Sequence, residues 1–107
     1  MKLDAAKGQL ELVVLASLGR GPLHGYAIIK GVRERSEGEL ELLEGTLDPA
    51  LHRLEQGGLV KSSWATEGGR RRRVYELTTR GRGALAEQEG DWRRFVRTLD
   101  AVLANAL

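Results

Sequence analysis

The chain has 107 residues, of which 41% are hydrophobic and 30% charged, and its formal net charge is +2. This composition is typical of one globular domain, and because there is no cysteine it excludes disulfides, thiolate metal sites and a cysteine nucleophile. The longest uncharged stretch near the start, residues 12–19, is far shorter than the roughly 20 residues of a membrane helix, and the early Asp4 is unlike a secretion signal. We therefore expect a cytoplasmic protein with no membrane contact and no metal or cofactor.

The first predicted helix runs from Asp4, as its N-cap, to about Leu18. Residues 10–18 are apolar nearly all round, with only two polar side chains among them. A surface helix of a small domain normally has a single apolar stripe facing the core. We therefore expect a second subunit to cover part of this helix, including Leu10 and Val14.

Two further helices follow a glycine-rich break. The first is predicted from His24 to about Glu37, and the next from Leu47 to about Gln56. Thr46 is predicted to cap this third helix, and Pro49 to lie in its first turn, where a missing N–H costs nothing. The glycine pair at 57–58 is predicted to end it.

A two-strand hairpin is predicted from residues 59–65 and 74–77, with a glycine-containing turn at 67–69. The positive charge of the chain is concentrated here, because residues 61–82 contain seven basic and two acidic side chains. This segment includes four consecutive arginines, residues 70–73. A local basic excess of this kind indicates contact with a polyanion more strongly than the small net charge does.

The last helix is predicted to begin after Thr78 or Thr79 and to run to the C-terminus. Apolar side chains recur along it every seven residues, as they do along a coiled-coil seam. The predicted domain leaves no other element to cover this seam, so we expect the helix to pack against a partner chain. The alternative is an ordinary amphipathic helix that folds back on its own core.

Three helices followed by a hairpin are the element order of a winged helix-turn-helix, so the predicted fold class is mainly α with a small β-hairpin. In that fold the third helix enters the major groove of DNA, and the hairpin reaches along the backbone or into the minor groove. We therefore assign residues 1–78 to a DNA-binding domain and residues 79–107 to a dimerisation helix, packed as one compact unit. The sequence contains no motif for nucleophilic, metal or phosphate-transfer chemistry, and we do not expect an enzyme.

The sequence resembles the PadR family of bacterial transcriptional regulators, of the short type, over nearly its whole length. Residues 21–26 are similar to the start of the family's second helix, and residues 45–55 are similar to its recognition-helix motif. Residues 58–60 continue that motif into the first strand, and residues 68–78 with Gly81 are similar to the wing and its end. Three linked motifs in the correct order and spacing make the resemblance specific.

The resemblance implies a homodimeric repressor that binds short inverted repeats in double-stranded DNA and that a small aromatic ligand releases. It also implies that the C-terminal helix packs against the first helix of the partner. The expected interface residues are Leu10, Val14, Leu85, Trp92, Val96, Leu99 and Leu103. Trp92 is interpreted mainly as interface core, and the alternative is that Trp92 and Phe95 stack a planar ligand.

The residues expected to contact DNA lie on the second and third helices and in the wing. They are Tyr26, Thr46, Asp48, Pro49, His52, Arg53, Arg70, Arg71, Arg72 and Arg73. Three of these assignments have alternatives: a salt bridge within the chain for Arg53, packing for the ring of Tyr26, and a solvated loop for the arginines. His24 is interpreted as a local structural residue.

Asp48 departs from the family motif, which has tyrosine at this place near the start of the recognition helix. A carboxylate in the first helical turn would stabilise the helix by a few tenths to about 1 kcal/mol. Near phosphates it is unfavourable, although it can accept a hydrogen bond from a cytosine amino group. We expect weakened or altered DNA binding. The alternative function is a dimeric ligand-binding or interaction module with weakened DNA binding.

Overall fold

The computed structural model describes residues 1–4 and 8–105, and its described part has four helices and three strands. In chain order they are α1 (Leu10–Ser17), β1 (Leu23–His24), α2 (Gly25–Arg35), α3 (Glu44–Gln56), β2 (Val60–Glu67), β3 (Arg70–Leu77) and α4 (Thr79–Ala104). The strands form one antiparallel sheet in the order β1-β3-β2. The predicted fold class is confirmed, with β1 as an addition that the sequence did not indicate.

Helix α1 lies at the centre of the domain, in contact with α2, α3 and α4. This position explains why its sequence is apolar nearly all round. Leu10 and Val14 are 3% and 0% exposed within the single chain. The expectation that a partner covers these two side chains is therefore wrong, because helices of the same chain already do so.

Two predicted helix starts are also wrong. Helix α1 begins at Leu10 and not after Asp4, since Gly8 takes a positive φ of 78° that no right-handed helix contains; residues 5–7 lie outside the described residues. Helix α3 begins at Glu44 with Leu43 as its N-cap, so Thr46 is inside the first turn and does not cap the helix. Pro49 consequently lies in the second turn, where it removes the hydrogen bond that residue 49 would have donated to the Gly45 carbonyl.

The hairpin agrees with the prediction at its turn and is longer than predicted. Gly68 and Gly69 have φ values of 56° and 79°. A two-residue hairpin turn of type I′ requires a positive φ at both of its central residues. Strands β2 and β3 pair continuously from Val60 opposite Leu77 to Glu67 opposite Arg70. The four arginines therefore lie in a paired strand, and their side chains alternate between its two faces.

The start of α4 is tied to the connection that follows α3. Thr78 is the N-cap: its hydroxyl accepts from the Gly81 N–H at 3.0 Å and donates to the Gly58 carbonyl at 2.6 Å. The next 26 residues form one helix of about 39 Å, which gives the molecule its extents of 59 × 29 × 23 Å. Within the described ranges, no helix combines the length and apolar composition that crossing a bilayer needs.

Candidate nucleic-acid interface

Helix α3 presents an apolar face to the core and a polar face to solvent. Its buried residues are Leu47, Ala50, Leu51 and Leu54. Four residues predicted to contact DNA are all exposed on the same helix: Asp48, Pro49, His52 and Arg53. The predicted recognition helix therefore has a free surface that carries the side chains expected to contact bases.

The arginines of β3 have two different environments. Arg71 and Arg73 lie beside the exposed indole of Trp64, with guanidinium carbons 4.7 and 5.5 Å from the ring centroid. These distances fall in the cation–π range. Arg70 and Arg72 instead line a cleft on the other side of the hairpin.

This cleft, of about 590 Å³, joins the start of α2, the start of α3 and the hairpin. It is lined by Gly25, Tyr26, Ile29, Glu44, Leu47, Asp48, Arg70 and Arg72. Four residues that were predicted separately to contact DNA are thus brought together. Tyr26 is 67% exposed, so its ring does not pack in the core and its hydroxyl is free to meet a ligand.

His24 connects the hairpin to the start of α2. Its Nδ1 accepts a hydrogen bond from the Ala27 N–H at 3.2 Å, which caps the helix. The Arg72 guanidinium is 3.5 Å from the same nitrogen, and the Glu67 carboxylate is 3.9 Å from Nε2. The prediction of a local structural role agrees with these contacts.

A second connection links the hairpin to α3 through a carboxylate, a hydroxyl and a guanidinium. The Ser62 hydroxyl donates to the Glu55 carboxylate at 2.6 Å, and the Arg73 Nε–H donates to the Ser62 oxygen at 3.0 Å. Arg73 also lies 3.8 Å from the same carboxylate oxygen. Sequence reasoning did not single out Glu55 or Ser62, since their meeting depends on how β2 turns back on α3.

Tyr75 lies next to this cluster and is half-buried against the core. Burial raises the pKa of its hydroxyl above the ordinary value of 10.0. The Arg73 charge and hydrogen bond oppose this shift, whereas the carboxylates of Glu55 and Asp48 add to it. The neutral phenol is therefore the form that the folded chain favours.

The structure also shows the surroundings of two further residues that were predicted to contact DNA, Arg53 and Thr46. Arg53 forms no ion pair with any residue that the structure describes, and its side chain borders a cavity shared with Leu10 and Glu11. The salt-bridge alternative for Arg53 is thus not supported. Thr46 is half-buried in the first turn of α3 and stays a candidate contact.

Comparison with known proteins decides the family. A profile of the transcriptional regulator PadR-like family matches residues 14–87. The transcriptional regulator Rv3488 of Mycobacterium tuberculosis is 37% identical over 81 residues, which are 76% of this chain and 73% of that protein. The chain belongs to the PadR-like family. The resemblance drawn from the motifs is confirmed, and so is the prediction of a regulator in place of an enzyme.

Solved structures of PadR-like proteins share the fold. A PadR family transcription regulator from Clostridium difficile R20291 is 35% identical, with a TM-score of 0.80 over 90% of this chain and 99% of that one. Bacillus subtilis PadR in complex with operator DNA has a TM-score of 0.67 and covers 74% of this chain and 45% of that one. At 24% identity, this second likeness shows the fold alone.

The PadR-like chain leaves most of α4 uncovered. The start of the helix docks on α1, where the Gln88 amide donates to the Glu11 carboxylate at 3.0 Å and Leu85 packs against the core. Beyond this docked part, large apolar side chains are exposed: Trp92 42%, Phe95 56%, Leu99 42%, Val102 60% and Leu103 61%. Val96, between them, is half-buried. Exposed apolar side chains grouped along one helix are typical of an interaction surface.

Trp64 is a candidate contact residue that the sequence of this PadR-like chain could have indicated. A two-residue turn at Gly68 and Gly69 places Trp64 opposite Arg73, and alternation puts Arg71 on the same face. Among the described residues, no group of three or more His, Cys, Asp or Glu is placed to hold a metal ion. The site is built for charge and stacking contacts.

Proposed function

We propose that this PadR-like regulator is a homodimeric repressor that binds inverted-repeat DNA and is released by a small aromatic ligand. Residues 1–78 bind the DNA, and residues 79–107 form the dimer. The observation that carries the DNA part is the convergence of Tyr26, Asp48, Arg70 and Arg72 on one cleft between the recognition helix and the hairpin.

Charge and fold both support DNA as the ligand. Residues 61–82 hold the basic excess of the chain, and β3 displays four arginines next to the exposed face of α3. Arginines that neutralise phosphates release condensed counterions, which is the main source of non-specific DNA affinity. Bacillus subtilis PadR, which shares the fold, was solved in complex with operator DNA.

The exposed face of α4 supports the dimer. Trp92 and Leu99 are seven residues apart, and Leu103 lies four residues further along, as on a coiled-coil seam, after the helix leaves its own core. Burying a large apolar side chain contributes roughly 1.5–3 kcal/mol, so a few such residues from each chain suffice for a stable pair. Two recognition helices then face successive half-sites, as an inverted repeat requires.

The aromatic pair on α4 supports the effector. Trp92 and Phe95 have ring centroids 6.0 Å apart, and Trp92 borders grooves of about 440 and 420 Å³ on its two sides. An exposed indole between two grooves offers a planar apolar surface to an aromatic ligand. In the dimer, the symmetry-related Trp92 would supply a second such surface.

The test is the affinity for a random-sequence duplex as a function of salt concentration. Wild-type protein should show a linear fall in log K with log salt, and Arg70→Ala, which changes an exposed arginine of the cleft, should reduce the slope by about 0.9 per subunit. The matched control is Arg97→Ala on α4, which should leave the slope unchanged. Salt-independent or absent DNA binding contradicts the proposal, and binding of an aromatic ligand alone would favour the ligand-binding module.

A further inference from the structure

We propose that Arg73 is a positioning residue that holds the hairpin against the recognition helix through Ser62 and Glu55, and that it leaves phosphate contact to Arg71. This inference rests on the proposed DNA binding for its functional consequence. Arg71 and Arg73 lie on the same face of β3, yet they would then have different roles. Arg71 would contact phosphate, and Arg73 would position the hairpin.

The polar contacts of Arg73 with Ser62 and Glu55 link three elements. Glu55 belongs to α3, Ser62 to β2 and Arg73 to β3. Ser62 uses its single O–H as a donor to Glu55 at 2.6 Å and its oxygen as an acceptor from Arg73 at 3.0 Å. A hydroxyl bonded to both a carboxylate and a guanidinium is at the centre of two charge-assisted hydrogen bonds.

The hydrogen bonds matter more here than the ion pair. The Arg73 and Glu55 side chains are 45% and 34% exposed, and their nitrogen and oxygen are 3.8 Å apart. A pair with this exposure contributes little to stability. The Ser62 hydrogen bonds, by contrast, are directed: one joins β2 to α3 through Glu55, and the other joins β3 to β2 through Arg73.

Arg71 has the opposite character. It is exposed, and no carboxylate in the described part of the chain pairs with it. Its guanidinium lies 4.7 Å from the Trp64 ring centroid, which favours an extended side chain without neutralising its charge. The Arg73 guanidinium carbon also lies 5.5 Å from the Trp64 ring centroid, so the indole contacts both the anchored Arg73 and the unpaired Arg71.

The consequence concerns discrimination between DNA sequences. Loss of Arg73 removes no phosphate contact in this scheme, but it removes the donor that occupies the Ser62 oxygen and so directs the Ser62 O–H toward Glu55. The hairpin is then held less firmly against α3. Base contacts by α3 and backbone contacts by the hairpin then lose their fixed spacing. The expected result is a fall in preference for a specific duplex without a fall in the number of counterions released.

Ser62→Ala tests the anchor without DNA and without changing any charge. Its matched control is Ser63→Ala, which changes the neighbouring exposed serine on the other face of β2. We expect backbone order parameters of residues 64–72 to fall from near 0.85 toward about 0.6 in Ser62→Ala and to be retained in Ser63→Ala. Equal order parameters in both variants would overturn the proposal.

The second measurement compares Arg73→Ala with Arg71→Ala on two probes, a random-sequence duplex and a duplex selected from a random pool by the wild-type protein. Arg71→Ala should reduce the salt slope by about 0.9 per subunit, and Arg73→Ala should leave it unchanged. Arg73→Ala and Ser62→Ala should each lower the preference for the selected duplex roughly two- to tenfold, which is the net effect of about one hydrogen bond.

Arg73→Lys separates the two roles further. A phosphate contact survives this change because the positive charge is kept, whereas the planar Nε–H donor to Ser62 is lost. We expect Arg73→Lys to behave like Arg73→Ala in sequence preference. A reduced slope in Arg73→Ala with rescue by Arg73→Lys would overturn the inference. Wild-type protein without salt-dependent DNA binding would instead overturn the proposed function, while the order parameters still decide the anchor.

Discussion

Replacing Asp48 by tyrosine should tighten DNA binding, and the effect should be larger at low salt. Asp48 is exposed on α3 and lines the cleft with Arg70 and Arg72. In DNA complexes its carboxylate would stand near phosphates and would also offset the charge of the two arginines. Its change to tyrosine removes the repulsion and adds a hydroxyl donor.

The size of the effect follows from Coulomb's law. One carboxylate about 6 Å from one phosphate in water is repelled by about 0.7 kcal/mol. Screening lengths of about 30 Å at 0.01 M salt and about 8 Å at 0.15 M reduce this to about 0.6 and 0.3 kcal/mol. For the two subunits of a dimer, the expected gains in affinity are about sevenfold at the lower salt concentration and about threefold at the higher.

Fold stability should change little. Asp48 is the fifth residue of α3, and the interaction of a carboxylate with the helix dipole falls off within the first turn. Glu44 is the acidic residue that occupies that first turn. We therefore expect the melting temperature of Asp48→Tyr to be equal to or slightly below that of the wild type.

The assay is DNA affinity at the two salt concentrations, paired with melting temperatures. Asp48→Asn separates charge from the added hydroxyl, and Asp100→Asn, an exposed site far along α4, is the matched control. An equal gain at both salt concentrations would refute repulsion as the cause. Weaker binding by both Asp48 variants would show that the carboxylate accepts a hydrogen bond from a base.

Three further changes test the packing, the titration and the assembly. Gly81→Ala should destabilise the fold by about 1–3 kcal/mol in denaturant unfolding, because a Cβ there would lie 1.9 Å from the Leu59 carbonyl oxygen. Tyr75→Phe should reduce the loss of folding stability above about pH 10. Because the pKa of Tyr75 is raised in the folded chain above the unfolded value of 10.0, the stabilisation by its neutral phenol is fully present below that value. It is lost as pH rises through the folded-state pKa. Leu99→Glu should yield monomers in sedimentation, since it places a charge on the exposed seam of α4.

Each of these changes has a matched control. Gly83→Ala adds a Cβ to open space on α4 and should stabilise the fold by up to about 1 kcal/mol through helix propensity. Tyr26→Phe removes a phenol hydroxyl from an exposed ring. Thr98→Glu adds a charge next to Leu99 at an exposed position. A stable Gly81→Ala variant, an unchanged alkaline profile for Tyr75→Phe, or a monomeric wild type would contradict the corresponding argument.

Local features of the sequence determined the element order and the family. Two glycines can adopt the positive φ angles of a tight turn without a steric penalty, so the hairpin could be predicted at 68–69 from residue type alone. The basic excess and the linked motifs were likewise visible without coordinates. Helix starts were less predictable: Thr46 is a good capping residue, yet α3 begins at Glu44 with Leu43 as its N-cap, and α1 begins at Leu10 and not directly after Asp4.

Tertiary structure alone decided which neighbours each side chain has. The apolar pattern of α1 favoured cover by a partner chain, and only the packing of three helices around it shows that Leu10 and Val14 are already buried. The arginines are alike in sequence, yet Arg73 meets Glu55 and Arg71 does not. Such contacts join residues from different elements, and their geometry is set by how the hairpin packs on α3, which no local pattern encodes.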